Sequence, residues 1–151
     1  MAAGKNEKLF VEKFESEFGA GSLGGKKSFD NNRRGSDKVS ISVDQSIDLE
    51  DGTTILIEID SANMAKLLVG QYVLLNGLIT NKKKQHIFLV VHYYKDYNSQ
   101  RTEKNLKEVC NLYPSKNWLK YCAIHIDELN ELFLQCSSLE GFASQIRNRA
   151  C

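Results

Sequence analysis

The stretch Arg33–Asp60, RRGSDKVSISVDQSIDLEDGTTILIEID, sets how the rest of the chain is read. From Lys38 to Leu49 the residues alternate: Val39, Ile41 and Val43 face one way, Ser40, Ser42 and Asp44 the other. That period of two marks a half-buried strand. Asp51-Gly52 is a turn dipeptide suited to positive φ, and TTILIEID beyond it is the partner strand. Residues two apart on a strand share a face. Thr54, Leu56, Glu58 and Asp60 therefore point one way, and Ile55, Ile57 and Ile59 the other. A surface strand spreads its acids along its length, and a core strand carries none. Here two acids gather at the end of an apolar strand, about 6–7 Å apart, where they repel unless a cation lies between them. Folding the hairpin about Asp51-Gly52 brings Asp44 and Ser42 near Glu58 and Asp60, and leaves Asp37 further out.

On the N-terminal side, NEKLFVEKFESEFG spaces Phe10, Phe14 and Phe18 four apart, which predicts an amphipathic helix ending at Gly19. The glycine-rich, basic connector that follows has no Gly-Lys-Ser/Thr ending leading into a helix, so it is not read as a phosphate loop. On the C-terminal side, SANMAKLLVGQYVLLNG predicts a helix capped by Ser61 or Asn63 and stopped at Gly77. Its wheel places Gln71 among Met64, Leu67, Leu68 and Leu75, where a glutamine needs an indoor partner. NKKKQ is a basic loop, and HIFLVVHYY reads as a strand buried on both faces. A helix closed by Pro114, the short strand YCAIHI, and terminal helices capped at Asp127 and at Ser137 or Ser138 complete the chain. The order is helix, strand, strand (a hairpin), helix, strand, helix, strand, helix. That is an α/β layout, a mixed sheet flanked by helices.

A chain of 151 residues is expected to form a single domain, 1–151, burying about two-thirds of its unfolded surface. Twenty basic residues nearly cancel 19 acidic ones, so a globally basic surface is excluded and any nucleic-acid affinity must come from local clusters. The four cysteines lack zinc-knuckle spacing and are read as reduced thiols of an intracellular protein. No signal-peptide core and no membrane-spanning run is present, which predicts no membrane partner.

Three short motifs carry a resemblance: Gly35-Ser36-Asp37 before one strand, Glu58-Ile59-Asp60 at the end of the next, and Gln71 on the following helix. In that order they resemble the PD-(D/E)XK nuclease superfamily, the fold of many restriction endonucleases and Holliday-junction resolvases. The resemblance implies a restriction-endonuclease-like mixed sheet. It implies Asp37, Glu58 and Asp60 as catalytic ligands of Mg2+ or Mn2+, Gln71 as a catalytic residue beside them, and a first-helix acid (Glu12, Glu15 or Glu17) in support. The activity implied is metal-dependent endonucleolytic hydrolysis of DNA, and the alternative is a catalytically inactive module that binds nucleic acid or protein. Asp60 stands where the family carries its lysine.

The implied DNA contacts are Arg33 and Arg34, with Lys82, Lys83 and Lys84 in the basic loop. Arg101, Lys104 and Lys107 also share one face of the third helix. His92 reads as structural, with a proton shuttle as the other role its chemistry permits. The apolar runs LNELFLQC and FASQI would suit a homodimer surface.

Overall fold

The computed structural model describes residues 4–81 and 84–151. Its elements run α1 (Lys5–Phe18), β1 (Lys27–Asp30), a 3-10 turn (Gly35–Asp37), β2 (Ser40–Val43), β3 (Gln45–Asp48), β4 (Thr54–Asp60) and α2 (Ala65–Leu78). They continue with β5 (His86–His92), α3 (Gln100–Leu112), β6 (Lys120–His125), α4 (Ile126–Gln135) and α5 (Leu139–Arg149). The architecture is mixed α/β. A four-stranded sheet has the order β3-β4-β5-β6, with β3 antiparallel to β4 and the other three parallel.

The alternation read in β4 holds. Ile55, Ile57 and Ile59 enter one core, with α1, α4 and α5, while Leu56 enters the other, with α2 and α3. β5 is buried at all seven residues, as a strand covered on both faces must be. Phe10 and Phe14 of α1 are fully buried, and Phe14 meets Phe142 at 5.4 Å and Phe133 at 5.8 Å between ring centres, both edge-on. Each such ring contributes roughly 1.5–3 kcal/mol by burial alone. Gly19 ends α1 with φ 99°, and its N–H reaches back to Glu15 O.

Three elements depart from the sequence reading. The expected single strand over 38–49 is two strands, bent at Asp44. An unbroken strand would hold Val43 and Ile47 on one face, yet Val43 packs with α2 and Ile47 with α1 and its neighbours. The bend turns β2 away from the main sheet, and β2 pairs instead with β1, a strand formed within what read as connector. Phe29 of β1 and Ile41 of β2 then pack against the second core, which is why the connector becomes ordered there.

The second departure is in α2. It buries Ala65, Leu68, Tyr72 and Leu75, while Met64 and Leu67 stay exposed. Gln71 thus sits at the border of the buried face and not in its middle. The helix starts without a side-chain cap, since Ser61 accepts a bond from Asn6 Nδ2 (3.0 Å), and it runs through Gly77 to Leu78. The third departure is at the C-terminus, where Leu129, Leu132, Phe133, Phe142 and Ile146 are buried in the protein's own core. Only Leu134 of those runs stands out as an exposed large side chain.

Candidate functional site

The parallel strands end in one register row: Asp60 beside His92, and His92 beside His125. The carboxyl end of such strands is where α/β sheets present loops and helix starts to a ligand. Two groups of side chains meet there.

The first is an acid pair. Gln45 pairs with Ile57 in the antiparallel ladder, so Asp44 is the next residue along, opposite Glu58. Asp44 Oδ2 accepts the Ile59 N–H at 2.8 Å, taking over the ladder where β3 begins. Burial pushes the Glu58 carboxyl up to about 7, and the neighbouring Asp44 charge adds to the rise. The Gln71 amide and the Asp44 peptide N–H oppose it, and Asp60 contributes a smaller increase. Asp44 is also raised, by burial first, against the Ile59 N–H and the charge of Lys26. Glu58 Oε2 is buried and meets no hydrogen-bond partner. Gln71 Nε2 donates to Ser42 O at 2.9 Å, which pins α2 to β2 beside this pair.

The second group is a chain of hydrogen bonds with one direction. Asp60 only accepts, so His92 Nδ1–H donates to Asp60 Oδ2 (2.8 Å). In the neutral ring, His92 Nε2 then accepts from the Thr102 hydroxyl (2.8 Å), whose oxygen accepts from Tyr97 OH (3.1 Å). The Tyr97 ring stacks on His92 at 4.2 Å, and the Arg101 guanidinium lies over Tyr97 at 5.6 Å. This has the connectivity of a hydroxyl–imidazole–carboxylate triad. Thr102 and His92 are both wholly buried, however, so no substrate reaches the hydroxyl. The chain instead orients Asp60 and leaves its Oδ1 outside the His92 contact.

Asp37 is not brought to this edge. It lies in the exposed 3-10 turn before β2, and the four residues of β2, on the order of 13 Å of strand, separate it from Asp44. Glu58, Asp60 and Gln71 do come together, and Asp44 stands where Asp37 was expected. Glu12, Glu15 and Glu17 are not among the main groups acting on Glu58, while from α1 Asn6 bonds to Ser61, next to Asp60. Arg33 and Arg34 are exposed in the β1–β2 connection, and Lys84 pairs with Asp48 at 3.7 Å. Lys82 and Lys83 lie outside the described residues. Asp44 was legible through the hairpin register. Thr102 and Tyr97 had no signal, because the turn after β5 that folds them back onto His92 carries no periodic pattern.

The chain matches no family model, no curated protein and no solved structure. Whether these residues fit a divalent cation is thus decided on their own chemistry. Among the described residues, no three His, Cys, Asp or Glu side chains form a metal-binding group. Asp44 and Glu58 supply two carboxylates, the number magnesium commonly takes before water and substrate phosphate complete its shell. The orphaned Glu58 Oε2 fits that use. The described residues include no helix long and apolar enough to cross a membrane.

Proposed function

We propose that the edge formed by Asp44, Glu58 and Asp60 hydrolyses phosphodiester bonds of DNA with a bound Mg2+ or Mn2+, on a restriction-endonuclease-like core. The observation that carries the reading is the buried, unpartnered Glu58 Oε2 opposite Asp44, on a carboxyl raised to about 7. A buried acid in that state is a ligand or proton carrier far more readily than a structural group. The order of elements supports it too. A helix comes first, an acid opens one strand, an acid-x-acid pair closes the next, and a glutamine follows on α2. Asp44 supplies the opening acid in place of Asp37.

Asp44 and Glu58 would hold the cation, which supplies a lowered water pKa and charge neutralisation at the phosphate. Asp60, oriented by His92, accepts the proton of the attacking water at Oδ1. Gln71 keeps α2 fixed against β2 and favours the ionised form of Glu58. The test is nicking of supercoiled plasmid with Mg2+ or Mn2+ against a chelator control. Cleavage lost in Asp44→Asn and Glu58→Gln but kept in Asp37→Asn is expected, and cleavage lost in Asp37→Asn alone would sink the assignment.

A second reading has its own observation. Among the described residues no lysine or arginine forms an ion pair with Asp44, Glu58 or Asp60, and Lys26 acts on Asp44 only through its charge. A catalytically inactive module that binds nucleic acid fits that site. Salt-sensitive binding with no cleavage in either metal is its signature.

A further inference from the structure

The starts of α2 and α3 enclose a groove of about 590 Å3 lined by Met64, Lys66, Leu67, Arg101, Lys104 and Asn105, among others. Lys66, Arg101 and Lys104 are all cationic, and no carboxylate lines the groove among the described residues. Among the described residues, none of the three makes an ion pair there. At other places a carboxylate answers the cations: Lys27 and Lys84 share Asp48, Arg147 pairs with Asp51, and Arg149 pairs with Glu128. Three unmatched cations facing one cavity repel one another, and an anion placed among them relieves that repulsion. The first turn of α2 adds to the positive field, since it has neither a side-chain cap nor an acidic residue.

The groove is also apolar. Met64 is 49% and Leu67 63% exposed, one helical turn apart beside Lys66. Large aliphatic surface left open next to cations suits a ligand with a flat apolar part and a phosphate part. Arg101 is held over Tyr97, Tyr97 is stacked on His92, and His92 holds Asp60. The groove and the acids are therefore joined by one continuous run of side-chain contacts.

The geometry points to this groove as the docking site for a single strand of nucleic acid, with phosphates on Lys66, Arg101 and Lys104 and a base against Met64 and Leu67. The proposal rests on the phosphodiester reading for where the strand leads, while the binding itself is tested without cleavage. It places the principal contact away from Arg33 and Arg34 in the β1–β2 connection. It also leaves out the cavity at the far end of α2, with Lys27 and Lys84, whose charges Asp48 already answers.

The experiment is fluorescence anisotropy of the full chain with a labelled oligonucleotide single strand, in chelator, across a salt series. Lys66→Ala/Lys104→Ala should weaken binding roughly tenfold at low salt and make the log K against log salt slope shallower by about 0.7 per lysine removed. Lys66→Glu/Lys104→Glu should weaken it further, and both positions are exposed, so the unfolding midpoint serves as the control for fold. Arg33→Glu/Arg34→Glu should stay close to wild type. Wild-type affinity in the groove variants, or loss of binding in the Arg33/Arg34 variant, overturns the proposal. Tighter binding to anionic lipid vesicles or to polyglutamate than to the oligonucleotide overturns the nucleic-acid assignment. Groove-dependent binding in a protein that cleaves nothing with Mg2+ or Mn2+ removes the nuclease reading and leaves the groove standing. Cleavage that persists with wild-type affinity in the groove variants does the reverse.

Discussion

The two faces of the four-stranded sheet are built from alternate residues of the same strands, yet they have different chemistry. Toward α1, α4 and α5 the strands send Ile55, Ile57, Ile59, Leu89, Val91 and Ile124 into a core of phenylalanine rings. Gln45, with a buried and unpartnered oxygen of its own, is the exception at that face's edge. Toward α2 and α3 the same strands send Leu56, Phe88 and Val90, but end in Glu58, Asp60 and His92. Apart from Gln45, the first face is apolar and holds together by burial alone. On the other face each buried polar group must be answered, and Glu58 Oε2 is not. The aromatic packing is concentrated on the first face, and the buried acid with a raised pKa on the second.

If that division holds, the largest stability loss belongs to the aromatic face. Phe14→Ala should cost about 3–5 kcal/mol in urea unfolding. It should leave any cleavage per folded molecule intact. An equal loss of specific activity would mean that the faces are coupled.

Next in size is the titration of Glu58 in metal-free protein. Its carboxyl holds a proton up to about 7 when folded and releases it near the ordinary 4.5 when unfolded. Between those values the folded state binds more protons, so stability falls as pH rises, by up to about 3 kcal/mol in all. Glu58→Gln should flatten the dependence and be the more stable protein above neutrality. Urea midpoints at acidic and alkaline pH, in chelator, measure it. The same slope in both proteins would return Glu58 to the solvated acids.

A smaller effect should come from Thr102→Val. It keeps the shape but leaves His92 Nε2 without a donor and Tyr97 OH without its acceptor, at a cost of about 1–3 kcal/mol. The imidazole proton resonances of His92 should shift with it. No shift would break the chain from Tyr97 to Asp60.

The smallest is Lys13→Ala, which removes an exposed pair with Glu17 at 3.1 Å on α1. It should change stability by only about 0.3–0.5 kcal/mol.

Local periodicity was enough for α1, β4 and β5. Phenylalanines four apart, isoleucines two apart and an unbroken apolar run each describe a face that neighbouring residues already share. The turn at Asp51-Gly52 was equally local, with Gly52 at φ 90° and Asp51 Oδ1 accepting the Thr53 N–H. The wheel of α2 could not choose its own face, because Leu67, Val73 and Leu74 make the outer side apolar as well. Packing over Phe88 and Trp118, with Tyr72 stacked between them, made the choice. The bend at Asp44 was hidden for a related reason. Val43 and Ile47 share a parity that fits one strand, and only the two cores on opposite sides of the sheet pull them apart. The acid pair follows from that bend. Glu58 and Asp60 were legible as acids sharing a face, since two residues of one strand suffice to say so. Asp44 followed from the hairpin register, but His92 lies on β5 and its partner Thr102 on α3, and His92 reaches Asp60 through a parallel pairing whose register no local pattern encodes. The tertiary structure decided those contacts because register between strands is set by what both faces must bury, and that involves the whole chain at once.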